Sequence, residues 1–314
     1  MTTVFIIIGG LGLFMFGIRL LSQGMEQLAG GKLQEWLDKA TNKPLKGAAV
    51  GFVATALLQS SSLLMATMIG LINGNLLTLE QSIGVMLGTE IGTTVTGQLV
   101  SFRIDNIRFI AIAAGFILFD FGGHRKWRSY GQVLLGFGLL FSGMVMMGDA
   151  LKPLASQPGV AIWMERMGQQ PLLGVLAGTL LTGAIFSSSA TTGLVIAMGS
   201  SGLITLPGAI GIVLGANIGT CFDSYLAAAR GTTSARRAAI AQIIINLTGV
   251  LLFIPFVTPY SAMLEHTAAS LPRQIANAHT IFNVTMSLLL FPFVKSIAKL
   301  TGIFFRKMPP VEVI

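Results

Sequence analysis

Charged side chains are scarce in this chain. Asp, Glu, Lys and Arg together make up 10% of its 314 residues, whereas 53% are hydrophobic and the mean hydropathy is +0.78. Soluble domains carry about 25% charged residues, so this composition lacks the polar surface that a soluble globule needs. It therefore excludes a soluble protein and predicts a membrane protein in contact with the lipid bilayer.

Cysteine pairs and a cleavable leader are also missing. A single cysteine, Cys221, excludes an internal disulfide. The first residues, Met1 to Val4, contain neither a basic stretch nor a small-residue cleavage site, so we expect the following apolar run to be retained as a helix. The net charge of +8 resides in short loops between apolar runs, which indicates membrane topology rather than a nucleic-acid partner.

A polar triplet of serines occurs twice within apolar sequence, at Ser60 to Ser62 and at Ser187 to Ser189. An offset of 127 residues (187 − 60) superposes the triplets and also lays residues 88–94 on residues 215–221 without a gap. Each copy thus carries two polar, glycine-bearing interruptions within hydrophobic segments. This pattern predicts a duplicated unit and is typical of the binding sites of secondary transporters.

The apolar segment around each triplet is too short on either side of the serines to cross a membrane. In the first copy about 14 residues precede the interruption at 59–62 and about 10 follow it, whereas a crossing helix needs about 20. We therefore expect a re-entrant hairpin of two half-helices with the serines at its tip, near the middle of the membrane. The interruptions at 88–94 and 215–221 predict broken crossing helices.

The predicted fold is an all-α polytopic membrane protein with two inverted-topology repeats and one extra C-terminal span. Because a re-entrant hairpin returns to its own side, each repeat makes an odd number of crossings, and the second copy is inserted upside down. The predicted boundaries are 1–128 for the first repeat (hairpin 45–73, broken helix 76–102), 129–258 for the second (hairpin 171–201, broken helix 203–229) and 259–314 for the C-terminal helix and tail.

Basic residues are distributed unevenly between the two predicted faces. By the positive-inside rule the richer face is cytoplasmic, so we expect a bacterial inner-membrane protein with its N-terminus outside and its C-terminus in the cytoplasm. An amphipathic interfacial helix is expected over 30–46. The richer face would hold 14 basic residues, namely Lys32, Lys39, Lys43, Lys46, Arg125, Lys126, Arg128, Arg230, Arg236, Arg237, Lys295, Lys299, Arg306 and Lys307, and the other face 5, namely Arg103, Arg108, Lys152, Arg166 and Arg273.

The chemistry of the hairpin tips favours an anion. At each tip the second half-helix begins with unpaired backbone N–H groups and the positive end of its dipole, and the serine hydroxyls add donors. A tetrahedral oxyanion could be held without a buried lysine or arginine by Ser60, Ser61 and Ser62 together with Ser187, Ser188 and Ser189. A cation could be coordinated by the side-chain oxygens of Gln59, Glu90, Thr93, Asn217, Thr220 and Asp223. Since the two charges would neutralise each other in a low-dielectric site, the pattern favours co-transport.

On these motifs the chain resembles the type II sodium-dependent phosphate cotransporters, including their bacterial members. The resemblance covers nearly the whole chain and includes both triplets, the G-x-N-I-G-T-T-like segments Gly88 to Thr94 and Gly215 to Thr220, and the segment Ala276 to Asn283. It implies that phosphate binds between the two serine triplets, with Na+ as the coupling ion and no other cofactor. The implied sodium ligands are among Gln59, Ser188, Asn217, Thr220 and Asp223.

Three residues depart from the family pattern. Phe186 stands where the second hairpin usually has Gln, Glu90 where the first broken helix usually has Asn, and Asp223 where a Thr is more familiar. The loss of an amide and the gain of two carboxylates could change the number or type of coupling ions, because a carboxylate in the membrane can take up a proton. Many bacterial members carry a soluble regulatory domain after the last span, which we expect this chain, ending at Ile314, to lack.

The predicted function is sodium-coupled symport of inorganic phosphate by alternating access, in a secondary active transporter that is not an enzyme. A transporter of another oxyanion, or a proton-coupled phosphate transporter, would keep the same architecture. An anion channel would lack uphill uptake. A serine hydrolase fits poorly, because neither triplet has the G-x-S-x-G pattern and the three histidines lie far from the serines in sequence. The sequence leaves a homodimer open.

Each motif also has a purely structural interpretation. Serines in membrane helices often bond back to their own helix, and glycines often permit close helix contact. Glu90 can pair with polar groups such as Thr55 or Gln59. His279 and Asn283, four residues apart on one helix face, are typical of an inter-helix hydrogen bond.

Overall fold

The computed structural model describes residues 2–30, 35, 37, 43–102, 104, 106–229 and 231–304, and every regular element in these ranges is a helix. Five helical stretches there are long and apolar enough to cross a membrane, which confirms the predicted all-α polytopic fold. These stretches are Thr2–Ala29, Arg125–Ala155, Leu206–Ala228, Thr233–Glu265 and Leu271–Ile303.

The helices with described bounds follow one another with short connections. In the first half they are α1 (Thr2–Ala29), α2 (Pro44–Leu58), α3 (Ser61–Asn73), α4 (Leu79–Val100), α5 (Ile107–Phe121) and α6 (Arg125–Ala155). In the second half they are α7 (Pro158–Gln169), α8 (Pro171–Ile185), α9 (Ser188–Ser200), α10 (Leu206–Ala228), α11 (Thr233–Phe253), α12 (Val257–Glu265), α13 (Leu271–Leu290) and α14 (Val294–Ile303). Short 3-10 turns at Ile254–Phe256 and Phe291–Phe293 connect α11 to α12 and α13 to α14.

Both serine triplets lie where one short helix ends and the next begins. Gln59 and Ser60 separate α2 from α3, and Phe186 and Ser187 separate α8 from α9. Gln59 and Phe186 have left-handed backbone conformations, with φ of 55° and 57°, which end a helix. The helix ends therefore fall within the predicted interruptions, whereas the re-entrant course of these helix pairs stays a prediction.

The breaks predicted in the helices at 76–102 and 203–229 are wrong. α4 and α10 are continuous through both glycine-bearing segments. The glycines are instead points of close contact between helices. A Cβ on Gly88 would lie 1.9 Å from the carbonyl oxygen of Ala48, and a Cβ on Gly215 would lie 2.0 Å from that of Val175. The threonine and asparagine side chains of these segments bond to carbonyls of their own helix, so they are satisfied without an unwound backbone.

The 127-residue offset relates contacts as well as sequence. A Cβ on Gly51 would lie 2.2 Å from the carbonyl oxygen of Val85, and one on Gly178 would lie 2.0 Å from that of Ile212, which is position 85 shifted by the offset (85 + 127 = 212). α2 therefore packs on α4 as α8 packs on α10. The two units share their closest backbone contacts, which need glycine because any side chain would collide with the neighbouring helix.

Helices α1 and α6 are equivalent under the same offset, yet they run in opposite directions where they touch. A Cβ on Gly10 would lie 3.0 Å from the carbonyl oxygen of Gly143, and one on Gly17 would lie 2.7 Å from that of Gly136. Later residues of α1 thus contact earlier residues of α6, so the two helices are antiparallel. Antiparallel contact between equivalent helices is what two inverted units require.

Some predictions fall outside this description. The interfacial helix expected over 30–46 lies mostly outside the described residues. Four basic residues later in the chain that were used to predict the orientation also lie outside them, namely Arg103, Arg230, Arg306 and Lys307. The crossings predicted at 76–102 and 107–121 correspond to α4 and α5, which are not among the five candidate spans. α5 has only 15 residues, and α4 is less apolar than the five spans.

We expect Gly88→Ala to destabilise the protein by about 1–3 kcal/mol, because the added methyl group would overlap the Ala48 carbonyl and push α2 away from α4. Thermal unfolding of the purified protein in detergent measures this as a lower midpoint. Gly70→Ala is the matched control, since a Cβ at that position meets no atom within 4 Å. Equal midpoints for the two variants would contradict the packing role of Gly88.

Candidate functional site

A cavity of about 390 Å³ lies between the tips formed by α2–α3 and α8–α9. It is lined by both serine triplets together with Gln59 and Phe186, and we call it the serine cavity. Segments that lie 127 residues apart in sequence therefore face the same space. Further lining residues that matter below are Arg19, Glu90, Thr220, Asp223, Ser224 and Gln242.

Each tip presents free backbone donors to the serine cavity. Ser60 and Ser187 are the N-caps of α3 and α9, and each hydroxyl oxygen accepts a hydrogen bond from the backbone N–H three residues later, at 3.2 Å. This bond satisfies one of the donors that a helix start leaves open. The N–H groups of the next two serines in each triplet find no acceptor among the described residues. Two helix starts thus offer donors and dipole ends to one cavity, which suits an oxyanion.

The two halves of the chain are joined at the serine cavity by a side-chain hydrogen bond. Ser62 Oγ donates to the carboxylate of Asp223, near the end of α10. Asp223 is half-buried. A carboxylate beside anion-binding donors repels a bound anion, so binding there calls for a cation between the two or a proton on the carboxyl group.

Glu90 is buried in the wall of the serine cavity, with 7% of its surface exposed. Its Oε1 accepts hydrogen bonds from Asn246 Nδ2 at 3.0 Å and from Gln242 Nε2 at 3.3 Å, both on α11. Ser224 Oγ in turn donates to Gln242 Oε1 at 2.6 Å. These bonds fix the carboxylate at the cavity wall, where its oxygens can bind a cation or a proton.

Two predicted coupling-ion residues, Thr93 and Asn217, do not line the serine cavity. Thr93 Oγ1 donates to the carbonyl of Glu90 at 2.8 Å, and Asn217 Nδ2 donates to the carbonyl of Val213 at 2.9 Å. Both side chains are therefore engaged by their own helices. This follows from the continuous course of α4 and α10, which keeps acceptors within reach of these groups.

The other predicted residues reach the cavity but have protein partners. Gln59 Oε1 accepts a hydrogen bond from Thr96 Oγ1 at 2.7 Å, and Thr220 Oγ1 donates to the carbonyl of Asn217 at 2.6 Å. Away from the cavity, Asn283 Nδ2 donates to the carbonyl of His279 within α13 at 2.9 Å, so this amide bonds within its own helix.

Three residues at the site were not predicted from the sequence. Arg19 of α1 lines the serine cavity and adds a permanent positive charge to it. Gln242 and Asn246 hold Glu90 from α11. The sequence contained the same signal for all three, namely a charged or amide side chain inside an apolar span. Such a side chain is rare unless it lines a cavity or bonds to another helix.

A family model described as Na+/Pi-cotransporter matches the chain over residues 13–149 and again over residues 142–269. The chain belongs to the Na+/Pi-cotransporter family. Together the two matches cover most of the chain, and each falls largely on one of the two units related by the 127-residue offset. Each half by itself therefore carries the pattern of the Na+/Pi-cotransporter family, which makes the chain a multi-pass membrane protein of a phosphate transporter family.

Individual relatives differ in length. "Uncharacterized protein YqeW" of Bacillus subtilis is 31% identical over 264 residues, which cover 84% of this chain and 86% of that protein. "Putative inorganic phosphate export protein YjbB" of Salmonella typhimurium is 24% identical over 273 residues, or 87% of this chain and 50% of that protein. Human "Sodium-dependent phosphate transport protein 2B" is 30% identical over 121 residues, or 37% of this chain and 17% of that protein. This Na+/Pi-cotransporter family member thus aligns with about half of YjbB. No solved structure matches it.

We expect Glu90→Gln and Asn246→Ala to be energetically coupled, with a coupling free energy of about 1–3 kcal/mol, because each change alters the same buried hydrogen bond. Chemical unfolding of the two single variants, the double variant and the unmodified protein in detergent gives this value. Gln169→Ala, at an exposed position of α7, is the control and should add independently to Glu90→Gln. Additivity of Glu90→Gln with Asn246→Ala would show that the hydrogen bond makes no net contribution.

Proposed function

We propose that the chain is a secondary active transporter that carries inorganic phosphate together with sodium by alternating access. The observation that supports it most strongly is the meeting of two serine-capped helix starts at one cavity. Each start supplies unpaired backbone N–H groups and a serine hydroxyl group. A tetrahedral oxyanion has acceptor oxygens pointing to several sides, so donors arriving from two tips can bind it at once.

In this proposal phosphate contacts Ser60 to Ser62 from one tip and Ser187 to Ser189 from the other. Arg19 adds a positive charge to the same cavity. The side-chain donors are hydroxyl groups whose protons rotate freely, so the site can bind phosphate without requiring one fixed orientation. Its few charges also allow release, because a cage of several arginines would hold the anion too tightly for turnover.

The proposed coupling-ion site lies beside the phosphate, at Glu90 and Asp223. Gln59 and Thr220 line the same cavity and are proposed as further ligands, with Gln242 added by its contact to Glu90. Thr93 and Asn217 do not line this cavity and donate to carbonyls of their own helices, so we propose that they shape the backbone instead. A bound cation would offset the repulsion between the carboxylates and phosphate, which makes binding of the two ions interdependent.

Alternating access would use the two units, proposed as 1–128 and 129–258, as inverted repeats. The antiparallel contact between α1 and α6 supports this relation. We propose a bacterial inner-membrane location with the N-terminus outside and the C-terminus in the cytoplasm, on the strength of the charge bias. The direction of net transport depends on the gradients, and among the relatives YjbB is named for phosphate export.

Proton coupling is the second candidate, and the carboxylates of Glu90 and Asp223 at the serine cavity favour it. Protonation of either group would neutralise the repulsion as a cation does. We propose no enzymatic role for the serines, because the chain belongs to a transporter family and no histidine is among the residues found to line this cavity.

We expect Ser61→Ala and Ser188→Ala each to abolish phosphate transport with little change in folded yield, because each removes a donor without removing a helix cap. Uptake of radiolabelled phosphate into liposomes containing the purified protein measures the effect. Ser142→Ala is the matched control, since its hydroxyl bonds only to the Gly138 carbonyl of its own helix. Normal transport by both cavity variants would refute the serine site.

Sodium and proton gradients imposed separately on the same liposomes test the coupling ion. We expect a sodium gradient to drive uphill phosphate movement and Glu90→Gln to weaken its dependence on sodium, because the amide cannot neutralise a cation. Glu80→Gln, on the same helix outside the serine cavity, is the control. A proton gradient that drives transport where sodium fails would favour the second candidate, and downhill flux under every gradient would indicate a channel.

A further inference from the structure

A second large cavity, of about 500 Å³, lies at the end of α4 and the start of α13. Among the described residues its lining includes three basic side chains, Arg108, Lys152 and Arg273, and one acidic side chain, Asp149, so these four side chains carry a net charge of +2 (3 − 1). We call it the basic cavity. None of its lining residues lines the serine cavity, so the site described above does not account for this charge.

The basic cavity and the serine cavity touch different parts of the same two helices, α9 and α4. On α9, Ser188 lines the serine cavity and Ser200 lines the basic cavity, 12 residues later, which corresponds to about 18 Å of helix. On α4, Glu90 and Ser101 show the same relation over 11 residues, or about 16 Å. The basic cavity is therefore a separate space, about 16–18 Å along these helices from residues that line the serine cavity.

The two arginines of the basic cavity are held in place, and neither forms an ion pair with another residue in the part of the chain that the structure describes. The Arg273 guanidinium lies over the Phe102 ring at 4.1 Å, and its Nη1 donates to Ser101 Oγ at 2.9 Å. The Arg108 guanidinium lies over the Phe109 ring at 4.7 Å, and its buried Nε has no hydrogen-bond partner among the described residues. A buried donor without an acceptor is unfavourable unless a ligand supplies one.

The remaining charges partly cancel at the surface. Lys152 and Asp149 form an ion pair at 2.7 Å, and each side chain is 62% exposed. Such an exposed pair contributes little binding energy of its own and leaves the arginines as the main source of positive potential. Planar guanidinium groups present paired N–H donors that match the oxygens of phosphate and carboxylate groups, which makes arginine a common phosphate-binding residue.

A small apolar space separates the two cavities. It measures about 10 Å³, which is too small for more than one water molecule. Gln59 and Ile18 line both this space and the serine cavity, whereas Phe141 lines both this space and the basic cavity. Since the basic cavity and the serine cavity share no lining residue, an anion in the basic cavity would be bound as a separate ligand.

We propose that the basic cavity is a binding site for a phosphate group, held mainly by Arg108 and Arg273. Free inorganic phosphate and the headgroup of an anionic phospholipid share this chemistry, and the exposed Phe102 and Phe109 at its edge suit a position next to lipid. The site does not depend on the proposed transport function, because its residues and its ligand contacts are separate from those of the serine cavity.

The test uses the full chain carrying Ser61→Ala and Ser188→Ala, so that binding at the serine cavity is removed. In nanodiscs of phosphatidylcholine, equilibrium binding of radiolabelled inorganic phosphate should persist and should weaken roughly tenfold on adding Arg108→Gln, which removes a charge-assisted contact. Lys152→Gln, at an exposed position, should weaken phosphate binding less than Arg108→Gln does. This second variant keeps the proposal testable if Arg108→Gln does not fold. Arg166→Gln is the matched control, because Arg166 also lies over an aromatic ring, Trp163, but outside the basic cavity.

A second arm distinguishes the source of the phosphate group. The protein with the unmodified basic cavity is placed in nanodiscs that contain phosphatidylglycerol, and retained lipid is counted by native mass spectrometry. Retention of phosphatidylglycerol that is lost with Arg108→Gln assigns the site to a lipid headgroup, whereas phosphate binding without such retention assigns it to the free ion. The proposal is overturned if Arg108→Gln changes neither quantity, or if Arg166→Gln changes them equally.

Discussion

A helix that begins inside an apolar protein leaves backbone N–H groups without partners, and the site of this protein depends on that constraint. At both tips the chain turns through a left-handed residue, Gln59 or Phe186, and restarts at a serine cap. The cap satisfies one donor at each start. The donors without an acceptor among the described residues face one cavity from two sides, where they are available to an anion.

Close glycine contacts hold these helix starts in position. α2 packs directly on α4, and α8 packs on α10. At the glycines of these contacts, a carbonyl oxygen of the neighbouring helix occupies the space that a side chain would need. Because the backbones touch, this packing positions each tip relative to the helix, α4 or α10, that carries a carboxylate of the serine cavity. The family pattern recurs in both halves of the chain, so the same packing serves each tip.

The sequence was sufficient to identify the polar residues of the helix tips and the two carboxylates, but it did not identify the residues that bond to them. The serine triplets, Glu90 and Asp223 were identified because polar residues stand out within apolar runs, and all of them line the serine cavity. The partners of the carboxylates were not identified, since Glu90 bonds to Asn246 and Asp223 to Ser62, contacts that join segments 156 and 161 residues apart. The 127-residue offset relates equivalent positions and contains no information about contacts between the halves.

The amino-acid sequence by itself determined that the protein is helical, lies in a membrane and contains a duplicated unit, because hydropathy and a repeated pattern are properties of the chain alone. Only the tertiary structure decided what the glycines near Glu90 and Asn217 do. A glycine permits both an unwound backbone and a close helix contact, and the choice depends on whether a neighbouring carbonyl approaches it, as that of Ala48 approaches Gly88. The same reason applies to Arg108, because only the tertiary structure shows that its buried Nε has no hydrogen-bond partner among the described residues.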